Sequence, residues 1–473
     1  MDSRFGSVNT KHTICFVCDF FYPNFGGVEN HIYYLSRGLQ KRGHKVLVIT
    51  HSYDGYEGLC YISSDRVITQ ANKLLSEQTG VADSRCHKSE GAISDLPVYY
   101  VPKTVVYQQA SLPSLYFIYG TVRRILIQEG VQIVHGHQST STMAHECMFI
   151  ARTLGLKTVF TEHSLFGYTD LFSIDHFINK LLKMTLSDVD HVICVSNSCR
   201  KNLISRVGKE ACPVFNGGQF LSTIPNAIDC NKFIPDVTKK IPASSNINIM
   251  IMSRFVYRKG IDMVVQLIPK ICSKHENAHF IIAGDGPKRS LIEDMIMKQQ
   301  LTERVELYGP IPHEEVRNFL IRGHIFLNCS LTESFCMSLV EAAACGLHVV
   351  STNVGGVPEV LPSSMTQLVE PDVGELQDAL TGALRMVAST RESAEQQQSH
   401  AIKMIERHKE ILALYSWDYV TDKTIQVYDQ VTLLPNQLLM QRLRKYFTAG
   451  FLVGPLACLL AVTLDLFDKH FYS

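Results

Sequence analysis

The feature that most constrains the fold is a regular alternation of short β-branched or apolar runs with segments of helical periodicity. This alternation is typical of parallel sheets that are covered by helices on both faces. The sequence therefore predicts an α/β protein. The predicted strands are 13–18, 45–50, 97–101, 131–135, 157–161, 191–195 and 221–224, followed by 247–252, 278–283, 304–308, 325–328 and 347–351.

The strands form two series, and the polar stretch DVTKKIPASSN separates them. Two Rossmann-like, doubly wound domains are expected, an N-terminal acceptor-side domain over 1–235 and a donor domain over 236–415, facing a cleft. Such sheets bind ligands at the carboxyl ends of their strands. The polar, Ser-rich residues 52–95 interrupt the pattern and are predicted to be a surface insertion with a helix at 66–77. Residues 416–446 are predicted to comprise a helix that packs back toward the N-terminal domain and a basic juxtamembrane segment.

Composition excludes several classes of protein. The 45 Lys and Arg residues balance 45 Asp and Glu residues, so the chain lacks the basic surface that a nucleic-acid-binding protein requires. Its 46% hydrophobic content is too high for a disordered chain. The 14 cysteines lie mostly in apolar runs of a long chain, which indicates a protein in a reducing, cytosol-facing environment.

The carboxyl-terminal segment FTAGFLVGPLACLLAVTLDLF, residues 447–467, approaches the 20 apolar residues that span a bilayer. It is predicted to be a transmembrane helix followed by a short lumenal tail, 468–473. Three basic residues precede it, Arg442, Arg444 and Lys445, and by the positive-inside rule they leave the large N-terminal part in the cytosol. A buried core helix is the alternative.

The densest chemical signal lies in the second half. The segment SRFVYRKG ends a predicted strand and opens a helix, with Arg254 and Lys259 five residues apart. Two cations at a helix start favour an anion such as a diphosphate, although solvated surface cations would give the same pattern. The following segment IAGDGPK contains Gly284 and Gly286, which would permit close approach of a ligand to the backbone or simply form a tight turn.

The segment LTESFCMSLVEAAACG carries two glutamates, Glu333 in a loop after a strand and Glu341 about two helical turns later. Carboxylates in these positions can accept hydrogen bonds from sugar and ribose hydroxyls. The alternative is a pair of charges on a solvated helix, which the surrounding apolar residues disfavour.

These three segments, in this order, resemble the donor-binding half of the retaining glycosyltransferases of the GT-B fold, family 4. The resemblance implies that Arg254 and Lys259 hold a nucleotide diphosphate, that Glu333 binds the donor sugar and that Glu341 binds the ribose. The implied donor-binding residues are Gly26, Gly27, Arg254, Lys259, Gly284, Gly286, Glu333, Ser334, Phe335 and Glu341.

The first half supplies matching loops. YPNFGGVENH places Gly26 and Gly27 after the first strand, as in the glycine loop of that family. HGHQST places His135 and His137 at the end of the fourth strand, and TEHSLFG places His163 after the fifth. A single histidine is more often structural than catalytic, but a position at a strand end favours a role at the sugar. The candidate catalytic residues are His137, His163 and Glu333.

Segments along nearly the whole chain, including HVICVSNSCRKN, MSRFVYRKGID and YSWDYVTDKTIQVYDQV, resemble more narrowly the family of catalytic subunits that transfer N-acetylglucosamine to phosphatidylinositol. This resemblance implies UDP-N-acetylglucosamine (UDP-GlcNAc) as donor, phosphatidylinositol as acceptor, retention of anomeric configuration, and the first step of glycosylphosphatidylinositol (GPI) anchor synthesis. It also implies other membrane-bound subunits, no nucleic acid and no cofactor or metal. The expected location is the endoplasmic reticulum membrane, with a single span and cytosolic catalytic domains.

Three alternatives stay open. A GT-B enzyme with another nucleotide sugar or lipid acceptor would keep every motif, and a catalytically silent membrane scaffold would keep the fold. The Asp188 and Asp190 pair could in principle bind a metal, but it directly precedes a predicted strand. The chain departs from the family pattern at 52–95 and 212–220, and neither region contains a site motif.

Overall fold

A computed structural model describes residues 10–472 of the 473-residue chain, with gaps at 25, 54, 65–67, 71–93, 108, 166–173, 209–219, 230, 237, 239–245 and 390–393. The chain divides into two compact units. The first contains Met1–Val195, Cys199–Ile224 and Val420–Ser473, and the second contains Ser196–Ser198 and Pro225–Tyr419.

The first unit is built on a sheet with the strand order β11-β10-β9-β8-β1-β2-β5-β3-β4. Its strands are parallel except at β3 and β4, which pair antiparallel at one edge. The strands are β1 (Thr13–Val17), β2 (Lys45–His51), β3 (Gly58–Ile62), β4 (Ile68–Gln70), β5 (Leu96–Val101), β8 (Ile133–His137), β9 (Lys157–Glu162), β10 (His191–Cys194) and β11 (Leu221–Thr223), while β6 (Val105–Tyr107) and β7 (Ala110–Ser111) form a separate hairpin.

Helices connect these strands and extend the unit at its carboxyl end. Strands β1, β8, β9 and β10 are almost wholly buried, which explains why their sequences are apolar without alternation. The helices are α1 (Gly27–Lys41), α2 (Leu115–Gln128), α3 (Thr142–Thr153), α4 (Ile174–Ser187), α5 (Asn197–Val207), and later α12 (Trp417–Thr432), α13 (Leu439–Phe447) and α14 (Val453–Tyr472).

The second unit holds an entirely parallel sheet in the order β14-β13-β12-β15-β16-β17. Its core is rich in isoleucine and leucine from both the strands and the helices that cover them. The elements are β12 (Ile247–Met252), α6 (Ile261–Lys274), β13 (Ala278–Ala283), α7 (Arg289–Lys298), β14 (Val305–Gly309), α8 (Val316–Leu320), β15 (Ile325–Asn328), α9 (Met337–Ala344), β16 (His348–Thr352), β17 (Thr366–Val369), α10 (Val373–Ser389) and α11 (Ala394–Tyr415).

The predicted α/β class and the predicted strands are confirmed to within a few residues. The segment 52–95 differs in part from its prediction, because residues 58–62 and 68–70 add β3 and β4 to the sheet edge. The helix expected at 66–77 is wrong where the structure describes it, since 68–70 is a strand, and its remainder lies outside the described residues.

The carboxyl-terminal segment also differs from its prediction. No continuous helix covers 447–467, because α13 ends at Phe447 and α14 begins at Val453. Gly450 between them has φ of 108°, a value that no helix accommodates. Within the described part of the chain, no helix combines the length and the apolar character that crossing a membrane requires.

Helix α14 instead packs against α2, α3 and α4 of the first unit. Its buried face consists of Gly454, Ala457, Ala461 and Leu464. The Tyr119 hydroxyl donates to Asp468 Oδ1 at 2.8 Å. The small residues on this face therefore allow close packing of α14 within the chain itself.

Candidate functional site

A lysine–glutamate pair marks the predicted donor site in the second unit. Lys259 lies in a 3-10 turn (Tyr257–Lys259) before α6, and Glu333 lies in the loop after β15. The two side chains form an ion pair although they are 74 residues apart in sequence. The Ser330 hydroxyl donates to Glu333 Oε1 at 2.8 Å and fixes the carboxylate further. Both charged side chains keep some exposure, 19% for Lys259 and 12% for Glu333, so a ligand can reach them.

The glycines of IAGDGPK hold the loop that carries Arg254. Gly284 has φ of 135°, and a Cβ there would overlap the carbonyl oxygen of Ser253. A Cβ on Gly286 would lie 2.7 Å from the carbonyl oxygen of Phe255. The backbone N–H of Phe255 donates to the Asp285 carbonyl at 2.8 Å. The close approach predicted at these glycines is thus made by the protein's own backbone, and Arg254 stands exposed on the loop that they position.

Glu341 lies in α9 and is 8% exposed. Its Oε1 faces Nε2 of His313 at 3.7 Å. His313 comes from a short 3-10 turn after β14, and sequence reasoning missed it. No spacing or motif links it to Glu341, because the two meet only through the packing of the sheet edge.

Ser334 and Phe335 have structural partners. The Ser334 carbonyl accepts a hydrogen bond from the Ser196 hydroxyl at 2.6 Å. The Phe335 ring is 3% exposed and lies edge-on to Tyr415, with ring centroids 5.5 Å apart. These contacts fix the loop beside Glu333.

Three histidines meet in the first unit. His137 ends β8, His163 follows β9, and His31 comes from α1. Nδ1 of His137 lies 3.0 Å from Nε2 of His163, and the His31 ring lies 4.8 Å from the His163 ring by centroids. Among the described residues these three form the group of potential metal ligands, with ligand atoms within 4.8 Å of one another. Sequence reasoning found His137 and His163 and missed His31.

Burial sets the charge of this cluster. The pKa of His137 and that of His163 are lowered well below the ordinary value, chiefly by loss of solvation and then by the neighbouring histidines. Both imidazoles are therefore neutral at physiological pH. Within the described part of the chain, the buried Nε2 of His137 has no hydrogen-bond partner. A neutral imidazole nitrogen of this kind can donate to or accept from a hydroxyl, depending on its tautomer.

The glycine loop lies at the start of α1. A Cβ on Gly26 would overlap the carboxylate of Glu29, whereas a Cβ on Gly27 would meet nothing within 4 Å. Gly27 is the first residue of α1. A side chain at Gly27 would thus meet no obstacle within the described part of the chain, and the close approach of a ligand there stays a prediction.

Other residues considered for chemistry have structural roles. His135 lies between the Tyr428 hydroxyl and Thr161 Oγ1, each at 2.7 Å from a ring nitrogen. Asp188 and Asp190 both pair with Arg152 rather than forming an open acidic site. The Asp-x-Asp pair therefore has cationic partners of its own.

Comparison with known proteins decides the family. The model for "PIGA (GPI anchor biosynthesis)" matches residues 92–170, and that for "Glycosyl transferases group 1" matches 236–404. The corresponding phosphatidylinositol N-acetylglucosaminyltransferase subunit of Arabidopsis thaliana is 40% identical, covering 96% of this chain and 89% of that protein. The gpi3 subunit of the same enzyme in Schizosaccharomyces pombe is 42% identical, covering 94% and 86%. This chain belongs to the PIGA family of phosphatidylinositol N-acetylglucosaminyltransferase subunits.

A solved structure supports the fold of this PIGA family member. Sucrose-phosphate synthase from Thermosynechococcus elongatus aligns with a TM-score of 0.65 at 19% identity, over 89% of this chain and 99% of that one. At this identity the likeness concerns the fold alone, and it confirms the predicted GT-B glycosyltransferase fold.

Proposed function

We propose that this chain is the catalytic subunit that transfers N-acetylglucosamine from UDP-GlcNAc to phosphatidylinositol, the first step of GPI-anchor synthesis. The relatives' names state the transferred sugar and the acceptor lipid. The observation that carries the catalytic part is the contact of Lys259 with Glu333, which places a cation for a diphosphate next to a carboxylate for a sugar.

The second unit binds the donor. Lys259 has three N–H donors, so the pairing with Glu333 leaves others for the diphosphate. Arg254, on the loop held by Gly284 and Gly286, adds a second cation. The charge that develops on the departing diphosphate is stabilised by these groups, and such stabilisation contributes several kcal/mol in many enzymes. The proposed reaction therefore needs no metal ion or cofactor.

The histidines of the first unit act on hydroxyls. Nε2 of His137, buried and without a partner among the described residues, is suited to a sugar or inositol hydroxyl. His163 holds the other nitrogen of the same ring and so fixes its orientation. Retention follows if the hydroxyl attacks on the face from which UDP leaves and the departing phosphate takes its proton. In that reaction the O–glycosyl bond forms as the glycosyl–phosphate bond breaks.

The enzyme acts at the endoplasmic reticulum membrane with its catalytic units in the cytosol, in a complex with other subunits. The proposed acceptor is a membrane lipid, and the relatives are named as subunits. The connection between α13 and α14 exposes large apolar side chains, with Phe451 92% and Leu452 70% exposed. We expect these side chains to contact lipid or a partner subunit.

A transfer assay with labelled UDP-GlcNAc and phosphatidylinositol in microsomes tests this function. Glu333→Gln replaces the carboxylate that accepts from the sugar by a neutral amide, and a hydrogen bond to a charged group contributes about 1.5–3 kcal/mol, so transfer should fall by up to roughly ten- to over a hundredfold. His137→Ala should lower transfer while UDP binding stays near that of the parent. Glu306→Gln is the control, because that exposed carboxylate pairs with Arg322 on the surface of the same unit. Equal transfer by Glu333→Gln and Glu306→Gln would reject the assignment.

A further inference from the structure

Lys232 makes two contacts with a single residue, His313. Its ammonium group donates to the His313 carbonyl oxygen at 2.7 Å and lies 3.0 Å from Nδ1 of the same residue. An ammonium group has only donors, so Nδ1 must be the acceptor. The remaining ring proton therefore resides on Nε2, and the ring is neutral.

The protonated Nε2 of His313 faces Oε1 of Glu341 at 3.7 Å. This distance exceeds that of a normal N–H···O hydrogen bond, and the proposal requires the Glu341 carboxylate to rotate toward the imidazole. The His313 and Glu341 side chains are 20% and 10% exposed, so solvent screens their attraction only in part. The Phe233 ring packs against His313 in a T-shaped arrangement, with centroids 5.9 Å apart, and limits rotation of the imidazole.

We propose that His313 is a positioning residue for the carboxylate of Glu341, held in one tautomer by Lys232. One carboxylate oxygen is oriented by the imidazole N–H, and the other is left to accept from a ribose hydroxyl. This inference rests on the proposed transfer from UDP-GlcNAc and on the role that the family resemblance implies for Glu341, which is to bind the ribose of UDP. It assigns to Lys232 and His313 a role in recognition of the nucleotide, and neither residue is expected to touch the reacting atoms.

The test compares inhibition of the full-length enzyme in its membranes by UDP and by 2′,3′-dideoxy-UDP, which lacks both ribose hydroxyls. His313→Ala should raise the KM for UDP-GlcNAc and the inhibition constant of UDP by about three- to tenfold, the size expected for one hydrogen bond. The kcat should stay within about twofold, since the same interaction is present in the ground state and the transition state. Inhibition by the dideoxy analogue should not change.

Two further variants separate positioning from general packing. His313→Gln keeps an N–H donor at the end of the side chain and should recover most of the preference for UDP over the dideoxy analogue. Lys232→Met removes the donor to Nδ1 and should lower that preference in the same direction as His313→Ala. If His313→Ala does not fold, these two variants supply the result.

The outcomes distinguish the two hypotheses. A parent-like preference for UDP in both His313→Ala and Lys232→Met, or in Lys232→Met alone when His313→Ala does not fold, would overturn the positioning role. A parent-like preference in Glu341→Ala would instead overturn the ribose role of Glu341, and with it the basis of this inference. Loss of preference in Glu341→Ala together with a partial loss in Lys232→Met supports both.

Discussion

Burial decides the protonation of single histidines in this chain, and His145 is the clearest case. Its ring is fully buried, with Nδ1 2.8 Å from Thr185 Oγ1 and Nε2 2.9 Å from the Ser139 carbonyl oxygen. Loss of solvation lowers its pKa from the ordinary 6.5 to about 4. The unfolded chain therefore takes up a proton between these two pH values while the folded chain does not.

This linkage predicts that the free energy of unfolding falls as the pH decreases below 6.5. The stability contributed by neutral His145 is complete above that pH and is lost progressively toward the folded pKa. From pH 7 to pH 5 the loss from this residue is about 2 kcal/mol. Urea unfolding of the parent and of His145→Gln at both pH values measures it. Between pH 7 and pH 5, the free energy of unfolding of His145→Gln should fall by about 2 kcal/mol less than that of the parent. An identical pH dependence in the two proteins would contradict the prediction.

The residue scale also shows what sequence can reveal about the site. Lys259, Glu333, His137 and His163 were predicted because each lies next to a strand end in a segment with a family pattern. His31 could not be predicted as a site residue in this way, because it projects from α1 and reaches the other histidines only through helix packing. Ser330 and His313 likewise carry no local signal.

At the scale of elements, the loop that carries Arg254 depends on a glycine turn. Gly284→Ala should be strongly destabilising, because φ of 135° strains any side chain and the new Cβ overlaps the Ser253 carbonyl. Gly130→Ala is the matched control, since Gly130 has φ of 64° but open space around it. Gly130→Ala should lower the free energy of unfolding by about 1–2 kcal/mol.

Two measurements check this pair of variants. In urea unfolding, Gly284→Ala should lose clearly more stability than Gly130→Ala. In titrations with UDP, the affinity should fall only for Gly284→Ala, because only that change displaces the loop with Arg254. Equal effects of the two variants on both quantities would show that the turn does not position the loop.

The elements themselves were largely predictable, with physically informative exceptions. Buried parallel strands such as β8 and β12 are continuous apolar runs, which composition reveals directly. The edge strands β3 and β4 lie in a polar segment, and the pairing of β3 with β5 and of β4 with β3 is a tertiary effect. The apolar window 447–467 predicted one helix because a hydropathy average does not register the turn at Gly450.

At the scale of the whole molecule, the chain returns to its first unit at the carboxyl end. Helix α12 places the Tyr428 hydroxyl 2.7 Å from Nδ1 of His135, and α13 places Arg442 2.9 Å from Asp188. Sequence indicated helices here, but it could not indicate that the small residues of α14 would be used for packing on the same unit. The opposite face of α14 remains exposed and includes Leu456, Leu459 and Leu466.

This exposed surface predicts how the whole molecule meets a membrane. Burial of one leucine or phenylalanine side chain in an apolar phase contributes about 1.5–3 kcal/mol, so the double change Phe451→Ser and Leu452→Ser should weaken lipid binding by at least about tenfold. Flotation of the purified full-length chain with phosphatidylcholine vesicles that contain phosphatidylinositol measures this. The control is Met297→Ser, because Met297 is 72% exposed on α7 of the second unit. UDP affinity should be the same in all three proteins, since neither α7 nor the turn between α13 and α14 contains a donor-site residue. If the double variant floats as well as the parent and the control, lipid contact does not depend on the turn between α13 and α14, and another surface must hold the enzyme at its acceptor.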